Sequence, residues 1–390
     1  MAELIKDLQS LWTDSGLSQM GIKSFIMILV ALTLLFLGIA KKFEPLLLVG
    51  LGFGMLLSNL PMSGLYTPSL WSSSHPDYGT VLTQGGLIDI LYIGVKTGLY
   101  PCLIFIGVGA MTDFGPLMSS PKSFLLGGAA QIGIYIAFLL ALVFGFSDLQ
   151  SASIAIIGSS DGPTAIWLTK SLAPELLGPI AVASYSYMAL IPIIQPPIMR
   201  ALTTRKERLV VMEEGKQPTR VQKICFPILV TAVTVLLLPS VSALIGCLMF
   251  GNLLKECGVT ERLSDTAQNA LMNIVTIFLG LSVGATAQAE TFLTWETLII
   301  IGIGLLAFAF STAGGVLFGK FLCWVTKGKV NPLIGAAAVS AIPMAARVAN
   351  KVGRDYDPNN YLLMHAMGPN VSGVLASAVV AGLFMTVFGG

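Results

Sequence analysis

Charge is the first thing this sequence lacks. Only 11% of its 390 residues are charged while 55% are hydrophobic, against roughly 25% charged in an ordinary soluble domain. Mean hydropathy is +0.83. Twenty-two Lys and Arg with 20 Asp and Glu cannot coat a globule of this length, so a cytosolic globular enzyme and a disordered chain are both excluded. A net charge of +2 offers nothing to nucleic acid. Histidine is nearly absent, with only His75 and His365, which excludes a histidine-based metal cluster. The five cysteines (Cys102, Cys225, Cys247, Cys257 and Cys323) form no C-x-x-C pair and lie in or beside apolar runs. There Cys behaves as a small hydrophobe, and neither a disulfide framework nor a zinc site is expected. The N-terminus lacks a signal-peptide core: Glu3, Lys6, Asp7 and Asp14 stand where apolar residues would be needed.

What is present is a succession of uncharged runs. Ser24–Ala40, Pro45–Pro76, Thr97–Thr112, Ser123–Ser147, Leu176–Met199, Ile224–Leu254, Thr266–Ala289, Thr297–Gly319 and Ala366–Gly390 contain no Asp, Glu, Lys or Arg. Roughly 20 apolar residues span a bilayer, and in lipid the backbone must satisfy its own hydrogen bonds, so these runs predict an all-α polytopic membrane protein of about ten segments. Leu4, Ile5, Leu8, Leu11 and Trp12 follow helical spacing. Within residues 1–23 they predict an amphipathic helix over 3–13, lying on the membrane or docked on the protein's own surface. Arg200, Arg205, Lys206, Arg208, Lys216, Arg220 and Lys223 crowd the one long polar break. The positive-inside rule puts that loop, 201–223, in the cytoplasm. No Lys or Arg occurs between Lys42 and Lys96, and Pro61–Gly86 carries Tyr66, Trp71 and Tyr78, which reads as an outside loop with interfacial aromatics.

The basic loop separates two halves, 24–200 and 224–390, in which three short segments match in the same order. Phe53–Leu57 resembles Phe250–Leu254. Ile104–Gly107 resembles Ile277–Gly280, and a Gly-Ala pair follows each (Gly109-Ala110, Gly284-Ala285). Ser160–Ala165 resembles Ser340–Ala345. Weak internal symmetry of this kind is typical of transporters built from two repeats, often inverted, with re-entrant hairpins or broken helices at the midplane.

The third match marks the chemistry. Leu149–Thr169 carries a single charge, Asp161, beside Gly158-Ser159-Ser160 and Gly162-Pro163. Pro removes a donor and Gly permits unusual backbone angles, so the helix must break there and free its carbonyls. The collection is all oxygen and suits a hard cation such as Na⁺; no transition-metal site is expected. A buried carboxylate must be paired or coordinated, so Asp161 should hold a cation, a proton, or an Arg or Lys from another helix such as Arg347. In the second half Asn331-Pro332 opens a run to Ser340 and Pro343, and Gly368–Gly373 is a second broken polar patch around Asn370. Asn331 and Asn370 read equally as neutral ligands or as helix caps. Tyr187, in Ser184-Tyr185-Ser186-Tyr187, reads as a proton or water relay or as an interfacial Tyr. Gly314–Lys320 nearly spells a phosphate-binding loop, but Phe321 stands where Ser or Thr must bind magnesium, and it follows an apolar helix rather than a strand.

The strings Gly158-Ser-Ser-Asp-Gly-Pro-Thr-Ala165 and Tyr185-Ser-Tyr-Met-Ala-Leu-Ile-Pro-Ile-Ile-Gln-Pro-Pro197 resemble the β subunit of the sodium-pumping, biotin-dependent decarboxylases of oxaloacetate, methylmalonyl-CoA and glutaconyl-CoA. The similarity continues through Asn331–Gly335, Ser340–Arg347 and Asn370, and covers about residue 20 to 390. The resemblance implies a multi-pass subunit of the bacterial cytoplasmic membrane, in several copies per complex, with a carboxyltransferase (α) subunit, a biotin carrier and a small membrane subunit as partners. It implies that carboxybiotin brought by a partner is decarboxylated here, with consumption of a proton and export of Na⁺. By the same resemblance Asp161, Tyr187 and Arg347 would be catalytic. Asp161, Ser160, Asn331, Ser340 and Asn370 would bind Na⁺, and Gly162, Pro163, Gly335 and Pro343 would shape the site. The N-terminal half looks shorter than in the oxaloacetate enzymes, which points toward an acyl-CoA decarboxylase. The competing readings are a secondary Na⁺/H⁺ exchanger or Na⁺-coupled organic-anion transporter, which the same buried acid and repeats would serve, and a structural subunit with no ion path.

Overall fold

With so few charges, the chain satisfies its backbone internally, and no strand occurs among the described residues. The computed structural model describes residues 15–389, apart from Leu17, Ser72, Ser74, His75 and Glu214. The expected amphipathic helix over 3–13 lies outside the described residues. The helices used below are α1 (Ile22–Ile39), α2 (Pro45–Asn59), α3 (Leu87–Lys96), α4 (Leu99–Met111), α5 (Lys122–Ala130), α6 (Ile132–Val143), α7 (Asp148–Ala155), α8 (Gly162–Leu172) and α9 (Leu177–Leu202) in the first half. The second half holds α10 (Arg220–Leu237), α11 (Ser242–Glu256), α12 (Glu261–Thr266), α13 (Met272–Thr286), α14 (Trp295–Val325), α15 (Met344–Arg354) and α16 (Leu363–Phe388).

Seven stretches are long and apolar enough to cross a bilayer, and the pair α3–α4, bent by 68°, makes an eighth. The apolar α2, at 15 residues, is shorter than these, so the described residues hold seven or eight candidate spans against about ten expected. The order of elements runs twice. An 18-residue helix (α1, α10) is followed by a 15-residue one (α2, α11). A bent or bulged pair comes next (α3–α4, α12–α13), then a long apolar stretch (α5–α6, α14), a broken segment, and a 26-residue helix (α9, α16).

The chain forms two compact units, one of residues up to Leu99 with Ile274–Leu298, the other of Tyr100–Asn273 with Ile299–Gly390. In the first, α2 crosses α13 backbone to backbone: a Cβ on Gly54 would lie 2.1 Å from Leu281 O, and one on Gly284 2.1 Å from Leu51 O. In the second, α11 crosses α4 in the same way, with Gly251 against Ile106 O (2.0 Å) and Gly109 against Leu248 O (1.9 Å). Only glycine permits this approach. Leu51/Leu248 and Gly54/Gly251 keep the register of the first sequence match. Gly109 and Gly284 keep that of the Gly-Ala pairs (a separation of 175 residues), whereas Ile104–Gly107 and Ile277–Gly280 (173) are two residues out of step.

The aromatics of the expected outside loop are used inward. Asp89, fully buried, accepts from Trp71 Nε1 (2.6 Å), from the Thr67 N–H (3.1 Å) and from the Gly86 N–H (2.9 Å). The Tyr66 and Trp71 rings stand edge-on to Tyr92. Only Tyr78 stays exposed.

Candidate ion-binding site

Both broken segments are hairpins. The first descends through α7 and the tight turn Ile156–Ser159, reverses at Ser160-Asp161 and returns as α8. Ser160 takes a left-handed conformation (φ 54°) and Asp161 an extended one (φ −117°, ψ 93°). Pro163 stands in the first turn of α8, where its missing N–H costs nothing. Gln150 Nε2 donates to Glu175 Oε1 at 3.1 Å, so the start and finish of this hairpin lie together at the Leu177 end of α9.

The second hairpin runs down Pro332–Ala338, turns through Ser340–Pro343 and returns as α15. Its ends are fastened to the basic loop. Asn331 Nδ2 donates to the carbonyls of Arg208 (3.0 Å) and Val210 (2.9 Å). Arg200 pairs with Asp355 (2.7 Å), and Arg208 donates to Tyr356 Oη (2.5 Å). That is the Leu202 end of α9, a helix about 39 Å long at 1.5 Å per residue. The hairpins therefore open at opposite ends of α9, and their tips meet: the Ser340 N–H donates to Ser159 O at 3.1 Å.

One face of α16 lines both tips. Asn370, completely buried, donates through Nδ2 to Ala337 O (2.8 Å), Val339 O (2.8 Å) and Ala341 O (3.3 Å), and so clamps the second tip. One turn on, a Cβ at Gly373 would lie 2.0 Å from Ala338 O. One turn further, Ser377 reaches the first tip. Positions i, i+3 and i+7 share a helix face, which is why one helix serves both.

Asp161 is only 6% exposed and makes none of the ion pairs seen among the described residues. Its Oδ2 accepts from Thr164 Oγ1 (2.7 Å) and Ser377 Oγ (2.9 Å), and Oδ1 from the Thr164 N–H at a long 3.4 Å. A carboxylate held by two hydroxyls keeps lone pairs to spare, and each hydroxyl can turn its own lone pairs toward a cation. The Tyr185 ring packs on Gly162, where a Cβ would lie 2.1 Å from its Cε1. Four buried polar atoms in this region have no partner among the described residues: Ser160 Oγ, Ser340 Oγ, Asn370 Oδ1 and Tyr185 Oη. Unpaired buried oxygens cost free energy, and a carboxylate, hydroxyls and broken-helix carbonyls are the donors a hard monovalent cation takes.

Of the residues expected from sequence, Ser160, Asp161, Gly162, Pro163, Ser340, Pro343 and Asn370 come together at the tips. Three do not. Asn331 caps Pro332–Ala338, accepting from the Leu333 N–H at 3.0 Å, and spends its amide on the basic loop. It stands about 14 Å up that seven-residue 3₁₀ arm from the tip. Tyr187 donates to Ile301 O on α14. Arg347 is exposed on the first turn of α15, away from Asp161's hydrogen bonds. Gly335 serves packing, its Cβ position 2.0 Å from Gly315 O. Sequence reasoning missed Thr164, Ser377 and Tyr185. Thr164 stands three residues after Asp161, where an N-cap acid finds its partner, and that spacing was a usable signal.

A helical membrane protein whose broken hairpins meet at their tips around one buried carboxylate has the architecture of membrane transporters built from repeats. The chain belongs to the family described as the Na⁺-transporting oxaloacetate decarboxylase beta subunit, which it matches over residues 23–388. It is 52% identical over 395 residues to the methylmalonyl-CoA decarboxylase subunit beta of Propionigenium modestum, covering 99% of this chain and 100% of that one. It is 50% identical over 390 residues to the glutaconyl-CoA decarboxylase subunit beta of Acidaminococcus fermentans, with both chains covered in full. To the probable oxaloacetate decarboxylase beta chain of Vibrio cholerae it is 50% identical over 428 residues, covering 98% and 99%.

Proposed function

We propose that Asp161 binds Na⁺ in one state and a proton in another, and that this exchange couples decarboxylation to Na⁺ export in a biotin-dependent complex. The observation that carries the reading is the Asp161 carboxylate, buried where two hairpin tips meet and held by two hydroxyls rather than by a cationic side chain. Exporting one Na⁺ costs about 2.3 kcal/mol per 100 mV, and the sequence offers no ATP site, so the driving reaction comes from a partner. Carboxybiotin on a carrier domain supplies the CO₂ whose release provides that energy.

The chain's own residues do the rest. Asp161, Ser160 and Ser340 supply oxygens to Na⁺, and Asn370 fixes the carbonyls of the second tip while offering its free Oδ1. Of the two phenols on α9, Tyr185 lies on the turn that carries Asp161. It takes the proton-relay part, while Tyr187 ties α9 to α14. Asn331 holds the second hairpin to the basic loop, and exposed Arg347 supplies positive potential one turn from the tip. Partners in this reading are a carboxyltransferase, a biotin carrier and a small membrane subunit. Alignment over 390 and 395 residues to the acyl-CoA enzymes, against 428 to the oxaloacetate enzyme, favours an acyl-CoA substrate for the complex.

Avidin traps biotin. Added to inside-out vesicles holding the complex, it should abolish ²²Na⁺ uptake; uptake that continues unchanged makes the chain a secondary carrier. Na⁺ should also raise the melting temperature of the purified protein, since it binds only the folded state. The shift should vanish in Asp161→Asn.

A further inference from the structure

A cavity of about 150 Å³ lies on the basic-loop side of the second unit, walled by Ser119, Ser120, Ser123, Glu213, Gln217 and His365. Its position relates it to the tips. Ile334, which also lines it, lies on the arm whose Ala337 carbonyl, three residues on, accepts from Asn370. Ser123, at its buried side, packs on Gly368, two residues before Asn370 on α16. The cavity thus sits above the Asn370 clamp, between the second hairpin and the start of α16, at the end where that hairpin opens. About 7 Å of helix rise separates His365 from Asn370.

Its chemistry selects the sign of the occupant. Three hydroxyls, an amide, an imidazole and a carboxylate face it, and no Lys or Arg is among the described residues that line it, although the adjoining loop is the most basic stretch of the chain. An anion would meet Glu213, whereas a hydrated Na⁺ would exchange water for the oxygen donors such ions prefer. We propose that this cavity is the loading port through which Na⁺ reaches the hairpin tips from the basic-loop side, with Glu213 raising the local Na⁺ concentration. The inference rests on the Na⁺-pump reading above and adds the route. A single carboxylate at a cavity mouth acts on capture rather than on the chemical step, so charge placed there should change the Na⁺ concentration for half-maximal rate and leave the maximal rate alone.

Ser120, exposed at the rim, is the handle. In Ser120→Cys, with the exposed Cys225 replaced by Ser, a cationic and an anionic methanethiosulfonate reagent place opposite charges on one atom. In the complex, in inside-out vesicles, the cationic adduct should raise half-saturating Na⁺ roughly threefold or more and the anionic adduct should lower it. Both shifts should shrink when choline chloride is added. Na⁺ itself should slow labelling by the cationic reagent, a readout independent of turnover. Equal effects from both reagents, or none, overturn the port. The two readings fail differently. If Asp161→Asn pumps normally, the pump reading falls and the port with it. If pumping depends on Asp161 while both adducts leave half-saturation unmoved, only the port falls.

Discussion

Two buried carboxylates, one in each unit, differ in what holds them, and the difference bears on the exchange proposed for Asp161. Among the described residues, Asp89 accepts from N–H groups, those of Trp71, Thr67 and Gly86. Asp161 accepts chiefly from the hydroxyls of Thr164 and Ser377. An N–H can only donate, so three of them around a carboxylate occupy its lone pairs, and a cation could bind there only by displacing them. A hydroxyl turns. It donates to a bare carboxylate and accepts from a protonated one, or offers a lone pair to a metal. On the proposed reading, burial alone does not mark an exchangeable acid; the chemical type of its neighbours does.

The sharpest test removes the charge that this argument makes exchangeable. Asp161→Asn should lower Na⁺ transport at least about 100-fold, or ~2.7 kcal/mol, with Asp161→Glu retaining a measurable part; ²²Na⁺ uptake reads both. Moving the acid to the matching position of the other tip breaks the comparison from the opposite side. Ala341 stands where Asp161 does in the sequence match. Asp161→Ala with Ala341→Asp should recover no transport, because Thr164 and Ser377 stay behind at the first tip. Recovery would mean that any carboxylate near the tips suffices.

Next in size are the hydroxyls themselves. Ser377→Ala and Thr164→Val should each raise half-saturating Na⁺ about tenfold, the usual cost of losing a partner of a metal-binding carboxylate, while Thr164→Ser should stay near wild type. The two changes touch one oxygen, so their effects in the double variant should not add. Strict additivity would show that they act on separate things.

The first tip was legible because chemistry and backbone agree there: Ser160-Asp161-Gly162-Pro163 is a poor helix and holds the only charge in Leu149–Thr169. The second tip was legible only through the repeat, since Ser340-Ala341-Ile342-Pro343 carries no charge of its own. Ser377 was not legible, for a serine in an apolar helix reads as close packing and its target is 216 residues away. The choice between Tyr185 and Tyr187 was equally closed. Two residues apart on a helix, they face nearly opposite ways, and which way meets the tip depends on how α9 is rolled. The Asn331 amide could not be placed either, because its carbonyl partners belong to a loop more than a hundred residues earlier, where composition shows charge and says nothing of exposed backbone.

The smallest effect on transport should come from the other carboxylate. Asp89→Asn keeps the side chain's shape but turns one acceptor into a donor facing the Trp71, Thr67 and Gly86 N–H groups, which have nowhere else to go. Leaving such groups unsatisfied costs about 1–3 kcal/mol each, so the melting temperature should fall. The Na⁺ half-saturation of the protein that remains folded should match wild type, because nothing at Asp89 exchanges during turnover. Asp89→Glu should destabilise as well, since a longer arm cannot reach the same three donors. Thermal unfolding with and without Na⁺ reads both quantities in one experiment: a lower melting temperature with an undiminished Na⁺-dependent rise. A rise lost in Asp89→Asn would make the two carboxylates parts of one ion path and end the distinction between them.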